Sequence, residues 1–175
     1  AAREVSDVTL PAVPALWRMW FEAGAIPGNV RCAISAGAVL PLDLEAAIHA
    51  RLGLKVHNFM GASECGGIAY DRSEVPRSDP AHVGTALDGV RLERDERDGC
   101  LIVRGGAVAN GYWPQPDPRL EGGTYRSHDL VELDAAGHLR LLGRMGDVIN
   151  LAGRKVSPET IEAALRSHPG VSECA

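Results

Sequence analysis

Aromatic side chains are scarce in this chain of 175 residues, where Trp, Tyr and Phe together make up 5%. Positive charge is scarce as well: 18 Lys and Arg stand against 23 Asp and Glu, for a formal net charge of −5. A chain short of cations, with no basic run and no interleaved aromatics, is not made to grip nucleic-acid phosphates. Cys32, Cys65, Cys100 and Cys174 lie far apart and show no C-x-x-C spacing. That excludes a disulfide frame or a cysteine zinc site and fits reduced thiols in a cytoplasmic protein. No apolar run approaches about 20 residues, so no membrane span is predicted. The opening Ala1-Ala2-Arg3-Glu4 has neither a signal-peptide pattern nor an initiator Met, and it reads as the start of a processed or excised chain. Internal repeats and low-complexity tracts are lacking too.

What is present is an ordinary globular composition, 45% hydrophobic, sufficient for one medium domain or one and a fraction. Val8-Thr9-Leu10 reads as a strand, and Leu16 to Ala23 as a helix stopped at Gly24. Trp17, Trp20 and Phe21 share one face of that helix and read as core. Val30 to Ile34 reads as a buried strand ending in the small residues Ser35-Ala36-Gly37-Ala38. A helix opened by Pro41 and Asp43 follows, with Leu44, Ala47, Ile48 and Leu52 on one face and Gly53 as its stop. The next strand runs from Lys55 to Phe59. Strand, helix, strand predicts a parallel pair with a right-handed crossover. Open α/β sheets bind ligands beyond the carboxyl ends of their strands, and the small-residue segments 35–38 and 60–67 both fall there.

Further on, residues 72–81 are polar and read as a linker, and the period then changes. Val90 and Leu92, then Leu101-Ile102-Val103 beyond Asp98-Gly99, predict one hairpin. Val131-Glu132-Leu133 and His138 to Leu141, around Asp134-Ala135-Ala136-Gly137, predict another. A Pro-rich loop, residues 113–118, lies between them. Short strands around 148–151 and 155–156, a helix capped by Ser157-Pro158, and a strand from Val171 complete the reading. The fold class expected is α/β: a parallel α/β layer, a small antiparallel β unit, and an incomplete α+β C-terminal piece.

The chemistry concentrates in Val56-His57-Asn58-Phe59-Met60-Gly61-Ala62-Ser63-Glu64-Cys65-Gly66-Gly67. It opens β-favouring and breaks into small residues around one hydroxyl and one carboxylate. The glycines leave room for close backbone approach. Ser63 and Glu64 side by side suit a phosphate or a metal-bound phosphate. A plain glycine-rich turn after a core strand has the same composition.

Asn58 to Glu64 resembles the N-x-Y-G-x-T-E loop of the adenylate-forming enzymes, the family of acyl-CoA synthetases, luciferases and peptide-synthetase adenylation domains. Ser35 to Leu40 resembles its S-G-G-A-P-L, and Tyr125-Arg126-Ser127-His128-Asp129-Leu130 its Y-R-T-G-D-L. Gly143 to Asn150 resembles the hinge G-R-x-D-D-x-I-K, and Gly153 to Glu162 the run G-x-R-V-x-P-x-E-I-E. Departures are Ala36, Val39, Met60, Ser63, Ser127, His128, Gly146 and Asn150. Pro158 and Asp147 to Asn150 make the acyl-CoA synthetases the nearer branch.

The resemblance implies an ATP-dependent acid–thiol ligase that joins a carboxylic acid to AMP and passes the acyl group to CoA or a carrier-protein thiol. By it, Ser63 would hydrogen-bond the α-phosphate and Glu64 would hold Mg²⁺. Asn58 would meet the adenine amino group, Gly37, Ala38 and Met60 would flank the ring, and Gly61 would belong to the nucleotide site. Asp129 would accept from the ribose hydroxyls, and Arg144 would contact the sugar or a phosphate. Gly146 would be the hinge. Residues 1–145 would then be the end of a large adenylation domain (1–80 the α/β layer, 81–145 the β unit), and 146–175 the hinge and start of a small mobile one. The family's phosphate loop ending in P-K-G and its catalytic lysine are not found among these residues. The isolated chain is therefore expected to be inactive without the remainder of a parent polypeptide.

Two other classes compete with this. Ser63 as a hydrolase nucleophile fits poorly, because G-x-S-x-G needs glycine where Cys65 stands. A free-standing nucleotide-binding or interaction module without catalysis stays open.

Overall fold

The computed structural model describes residues 6–147, 149–151, 154–156, 158–166, 168, 170, 171 and 174. The chain opens with β1 (Val8–Ala12), α1 (Pro14–Glu22), β2 (Val30–Ala36), α2 (Leu42–Leu52) and β3 (Val56–Ala62). β1, β2 and β3 pair side by side and all parallel. This is the crossover read from the sequence, and Gly53 ends α2 in the left-handed conformation. Trp17 is fully buried with Val30, Ala33, Leu40, Leu44, Ile48 and Val56, and Trp20 and Phe21 pack against that cluster. The Trp17 indole donates to the Ile34 carbonyl at 3.0 Å, so its one polar atom is satisfied in the core.

Next come β4 (Gly66–Tyr70) and β5 (His82–Ala86), strands not foreseen in the sequence. The segment 60–67 is not a loop: β3 runs to Ala62 and turns back through Ser63-Glu64-Cys65 into an antiparallel β4. The glycines hid this strand by their low β propensity. The two predicted hairpins are present, as β6 (Val90–Arg94) with β7 (Cys100–Gly105) and β9 (Thr124–Leu133) with β10 (His138–Arg144). A short β8 (Leu120–Glu121) pairs with β9. Among the described residues ten strands form one sheet, ordered β1-β2-β3-β4-β5-β10-β9-β7-β6 with β8 beside β9. The parallel layer and the antiparallel unit therefore meet edge to edge in a single sheet, and the seam is β3-β4-β5. A second core runs from the seam into the antiparallel unit, with Ile68, Leu101, Val103, Val131 and Leu139 at its centre.

At the end of the chain, β11 (Ile149–Leu151) pairs antiparallel with β12 (Arg154–Val156), as expected, and α3 (Pro158–Arg166) follows. The Ser157 cap lies outside the described residues. Leu165 is 47% exposed, and His168 is exposed as well. Val171 is in no strand, and 172, 173 and 175 are outside the described residues. No described helix is long and apolar enough to cross a membrane.

Candidate functional site

β2 and β3 are parallel neighbours, in register at Ser35–Asn58 and Ala36–Phe59. Both strands therefore end on the same edge of the sheet. One step past that register, Gly37 and Ala38 leave β2 exposed, beside Met60 and Gly61 of β3. Met60 packs partly against the second core. The space at Gly61 is closed by the hairpin itself, since a Cβ there would stand 2.8 Å from the Gly66 carbonyl oxygen. Asn58 is 8% exposed, and its amide donates weakly to the His82 carbonyl at 3.4 Å. His57 holds the Asp71 carbonyl at 2.9 Å and stacks on Tyr70.

The turn presents Ser63 exposed and Glu64 half-buried, with Cys65 buried beneath them. Among the described residues no imidazole hydrogen-bonds Ser63, so a hydrolase dyad is not formed there. Glu64 is anchored twice by the loop that follows β7. The Ala109 amide donates to its carbonyl at 2.8 Å, and the Tyr112 hydroxyl donates to its Oε1 at 2.6 Å. Tyr112 was missed in the sequence, where its only signal was an aromatic ahead of a Pro-rich loop.

Asp129 and Arg144 are directly opposite each other on β9 and β10. Arg144 Nε lies 3.4 Å from Asp129 Oδ1, with Asp129 19% exposed and Arg144 57% exposed. The pairing of β9 with β7 jumps here: Cys100 opposes Leu130, but Ile102 opposes Arg126. This bulge of β9 spans Ser127 to Asp129, and the buried Ser127 hydroxyl accepts the Asp129 amide at 2.9 Å. Bulges of this kind re-aim a side chain out of the regular pleat. Arg126, part of the same motif, instead ties the β6–β7 turn through Asp95 and Asp98. His128 holds Arg119 at 2.7 Å, and Arg119 pairs with Asp117, which closes the Pro-rich loop onto β9.

The turn and the bulge share one electrostatic neighbourhood. Burial pushes the Cys65 thiol up to about 11, helped by Glu64 and to a smaller degree by Asp129. Tyr125 is pushed up to about 12 by burial and then by Glu64, Tyr112 and Asp129. A thiol so raised is protonated at neutral pH and is not a nucleophile. Among the described residues no three His, Cys, Asp or Glu side chains surround a common point. A divalent ion at Glu64 would thus be shared with oxygens of a ligand, as hard cations are when one or two carboxylates meet a phosphate. Gly146 lies in the exposed turn 145–147 after β10 with φ +103°, and a Cβ there would meet nothing within 4 Å. Just before it, the Met145 amide donates to the His128 carbonyl at 2.7 Å.

Residues 4–113 match the model of the AMP-binding enzyme family. The chain belongs to this family. Within it, the chain is 32% identical to triostin synthetase I of Streptomyces triostinicus, over 99% of this chain and 36% of that protein. It is 35% identical to the anthranilate–CoA ligase of Pseudomonas aeruginosa, over 94% of this chain and 34% of that one. Among solved structures, o-succinylbenzoate CoA synthetase from Bacillus subtilis, in complex with its acyl-adenylate intermediate, matches with a TM-score of 0.83 at 26% identity. That match covers 95% of this chain and 37% of the other. The same enzyme in complex with ATP and magnesium ion gives 0.83 at 26%, over 95% and 38%. The chain spans about a third of the length of the curated relatives it matches.

Proposed function

We propose that this chain supplies the nucleotide-facing half of an ATP-dependent acid–thiol ligase. The observation that carries the reading is the convergence of two polar groups from different motifs. The Ser63-Glu64 turn lies within the seam, between β3 and β4, and the Asp129–Arg144 pair lies beyond it on β9 and β10, yet both carboxylates raise the pKa of Cys65 and Tyr125. In the proposed reaction a carboxylate oxygen bonds to the α-phosphorus of ATP while the bond to pyrophosphate breaks. A thiol, of CoA or else of a carrier protein, then takes the acyl group and releases AMP.

The difficulty of the first step is charge, because an anion approaches a polyanion. Ser63 donates to the α-phosphate, and Glu64 would hold Mg²⁺ together with phosphate oxygens. The ion, when bound, offsets the charge that develops there. Gly37, Ala38, Met60 and Gly61 border the base, with the Asn58 amide behind them toward the adenine amino group. Met60 offers a thioether contact in place of an aromatic face. Asp129 accepts from the ribose hydroxyls, and Arg144, paired with it at 3.4 Å, contacts the sugar or a phosphate. Gly146 is the pivot toward residues 146–175, free to take the backbone angles a hinge requires. In an intact ligase, Gly146→Pro impairs one half-reaction far more than the other. The free thiols of Cys32, Cys65 and Cys100 suit a cytoplasmic setting.

Calorimetry with ATP and Mg²⁺, beside a pyrophosphate-release assay with a panel of carboxylic acids, tests the proposal. The expected result is weak nucleotide binding and no pyrophosphate release, since neither a phosphate loop nor the family's lysine is among these residues. Robust release from this chain alone would overturn the idea that it holds only part of the machinery. A module that binds no nucleotide under any condition would overturn the ligase reading itself.

A further inference from the structure

The carboxylate at the tip of the β3–β4 turn has a partner that its own hairpin does not supply. Two donors three residues apart on one loop, the Ala109 amide and the Tyr112 hydroxyl, bind the same residue, one at its carbonyl and one at its side chain. Val108 beside them is buried in the second core, and its amide donates to the Gly105 carbonyl, so the near end of the loop is fixed to the sheet. Its far end is fixed by Leu120, also buried, and by Arg119 through Asp117 and His128. Core packing does not explain Tyr112, which is 39% exposed while the neighbouring Trp113 is 94% exposed. Among the described residues its hydroxyl makes one hydrogen bond, to Glu64 at 2.6 Å. Carboxylates that reach solvent ordinarily sample several rotamers, and freezing one costs entropy. The contact on Oε1 removes that freedom and leaves Oε2 without a protein partner among the described residues.

On the proposed function given above, we infer that Tyr112 is a positioning residue for Glu64. It holds Oε1 so that Oε2 is turned toward a divalent cation carried by the nucleotide phosphates. Partners of this kind, which hydrogen-bond a ligating group without touching the ion, orient it and commonly matter tenfold or more to metal affinity. The loop after β7 thereby belongs to the site through its hold on Glu64.

The experiment compares, by titration calorimetry on this chain, ATP with Mg²⁺, ATP with EDTA, and AMP with EDTA, for the wild type, Tyr112→Phe and Glu64→Gln. In the wild type Mg²⁺ tightens ATP binding. Tyr112→Phe is expected to cut that gain about tenfold while leaving AMP affinity and the thermal midpoint unchanged. Glu64→Gln abolishes the gain. A Tyr112→Phe protein with the full Mg²⁺ gain overturns the inference and leaves the nucleotide reading intact. So does one that loses AMP affinity and thermal stability together, because Tyr112 would then be a structural tie of the loop. A Glu64→Gln protein that keeps the Mg²⁺ gain overturns the metal role of Glu64, and with it both statements.

Discussion

Two clusters of carboxylates and cations lie at the two ends of β3, and they are constructed in opposite ways. At its amino end, Lys55 bridges Glu45 of α2 and Asp71 beyond β4, the latter at 2.7 Å. Arg77 binds Glu45 through its backbone amide at 3.1 Å and its Nε at 2.9 Å, and donates to the carbonyls of His82 and Leu40. The side chains of these four residues are 5% exposed or less. Two cations balance two anions, and each carboxylate is met more than once. At the carboxyl end, Glu64 has one side-chain hydrogen bond, Ser63 has none among the described residues, and Asp129 has one loose ion pair. The first cluster has no room for a ligand. The second leaves acceptors facing solvent, which is what a binding site needs before its ligand arrives.

If that contrast is right, the two clusters respond differently to removal of one carboxylate. Glu45→Ala strands two buried cations and is expected to cost about 3–5 kcal/mol, read by urea unfolding. Glu64→Gln should stay within about 0.5 kcal/mol of the wild type. Comparable losses from both would erase the distinction. Next in size is the seam on which the contrast depends. A Cβ at Gly84 of β5 would stand 2.1 Å from the Tyr70 carbonyl oxygen, and its φ is +116°. Gly84→Ala therefore combines strain with overpacking, and about 3 kcal/mol is expected. A fully stable Gly84→Ala protein would mean that β4 and β5 do not meet as closely as described.

Asp129→Asn tests the open cluster directly. One charge-assisted hydrogen bond contributes roughly 1.5–3 kcal/mol, so nucleotide affinity measured by calorimetry should fall about 10- to 100-fold. Unchanged affinity would remove Asp129 from the ribose.

Smaller effects follow from titration. Burial opposes ionisation of Asp71, but hydrogen bonds from Lys55 and Ser73 outweigh it and hold the carboxyl below its ordinary value of 3.8. Its folded pKa is thus depressed, so its contribution to stability is present above about pH 4 and is lost as pH falls through the lowered value. Asp71→Asn should flatten the acid limb of a melting profile, and an unchanged limb would count against the buried network. Cys65 is the reverse case. Its raised pKa keeps the thiol protonated, so its contribution is present below 9.0 and is lost as pH rises toward about 11. Mass-spectrometric mapping of iodoacetamide labelling at pH 8 should find half-buried Cys32 modified ahead of buried Cys65. Equal rates would indicate that the turn above Cys65 opens freely.

The sequence by itself determined the parallel layer, because apolar periodicity and the stop at Gly53 are local properties that hold wherever the chain is placed. The β6–β7 and β9–β10 hairpins were legible for the same reason, through alternation and turn residues around Asp98-Gly99 and Asp134 to Gly137. The candidate residues Ser63, Glu64 and Asp129 were legible by composition and by resemblance. What only the tertiary structure decided depends on partners distant in the chain. β4 and β5 were hidden because a glycine-rich strand has little propensity of its own and exists by pairing with β3 and β10. Glu45 is buried by an ion network that nothing near it in sequence announces, because Lys55, Asp71 and Arg77 come to it only in the fold. The bulge at Ser127 to Asp129 exists only because β9 is held between β7 and β10 in two different registers. Tyr112 reaches Glu64 across 48 residues of chain, a distance over which no local pattern carries information.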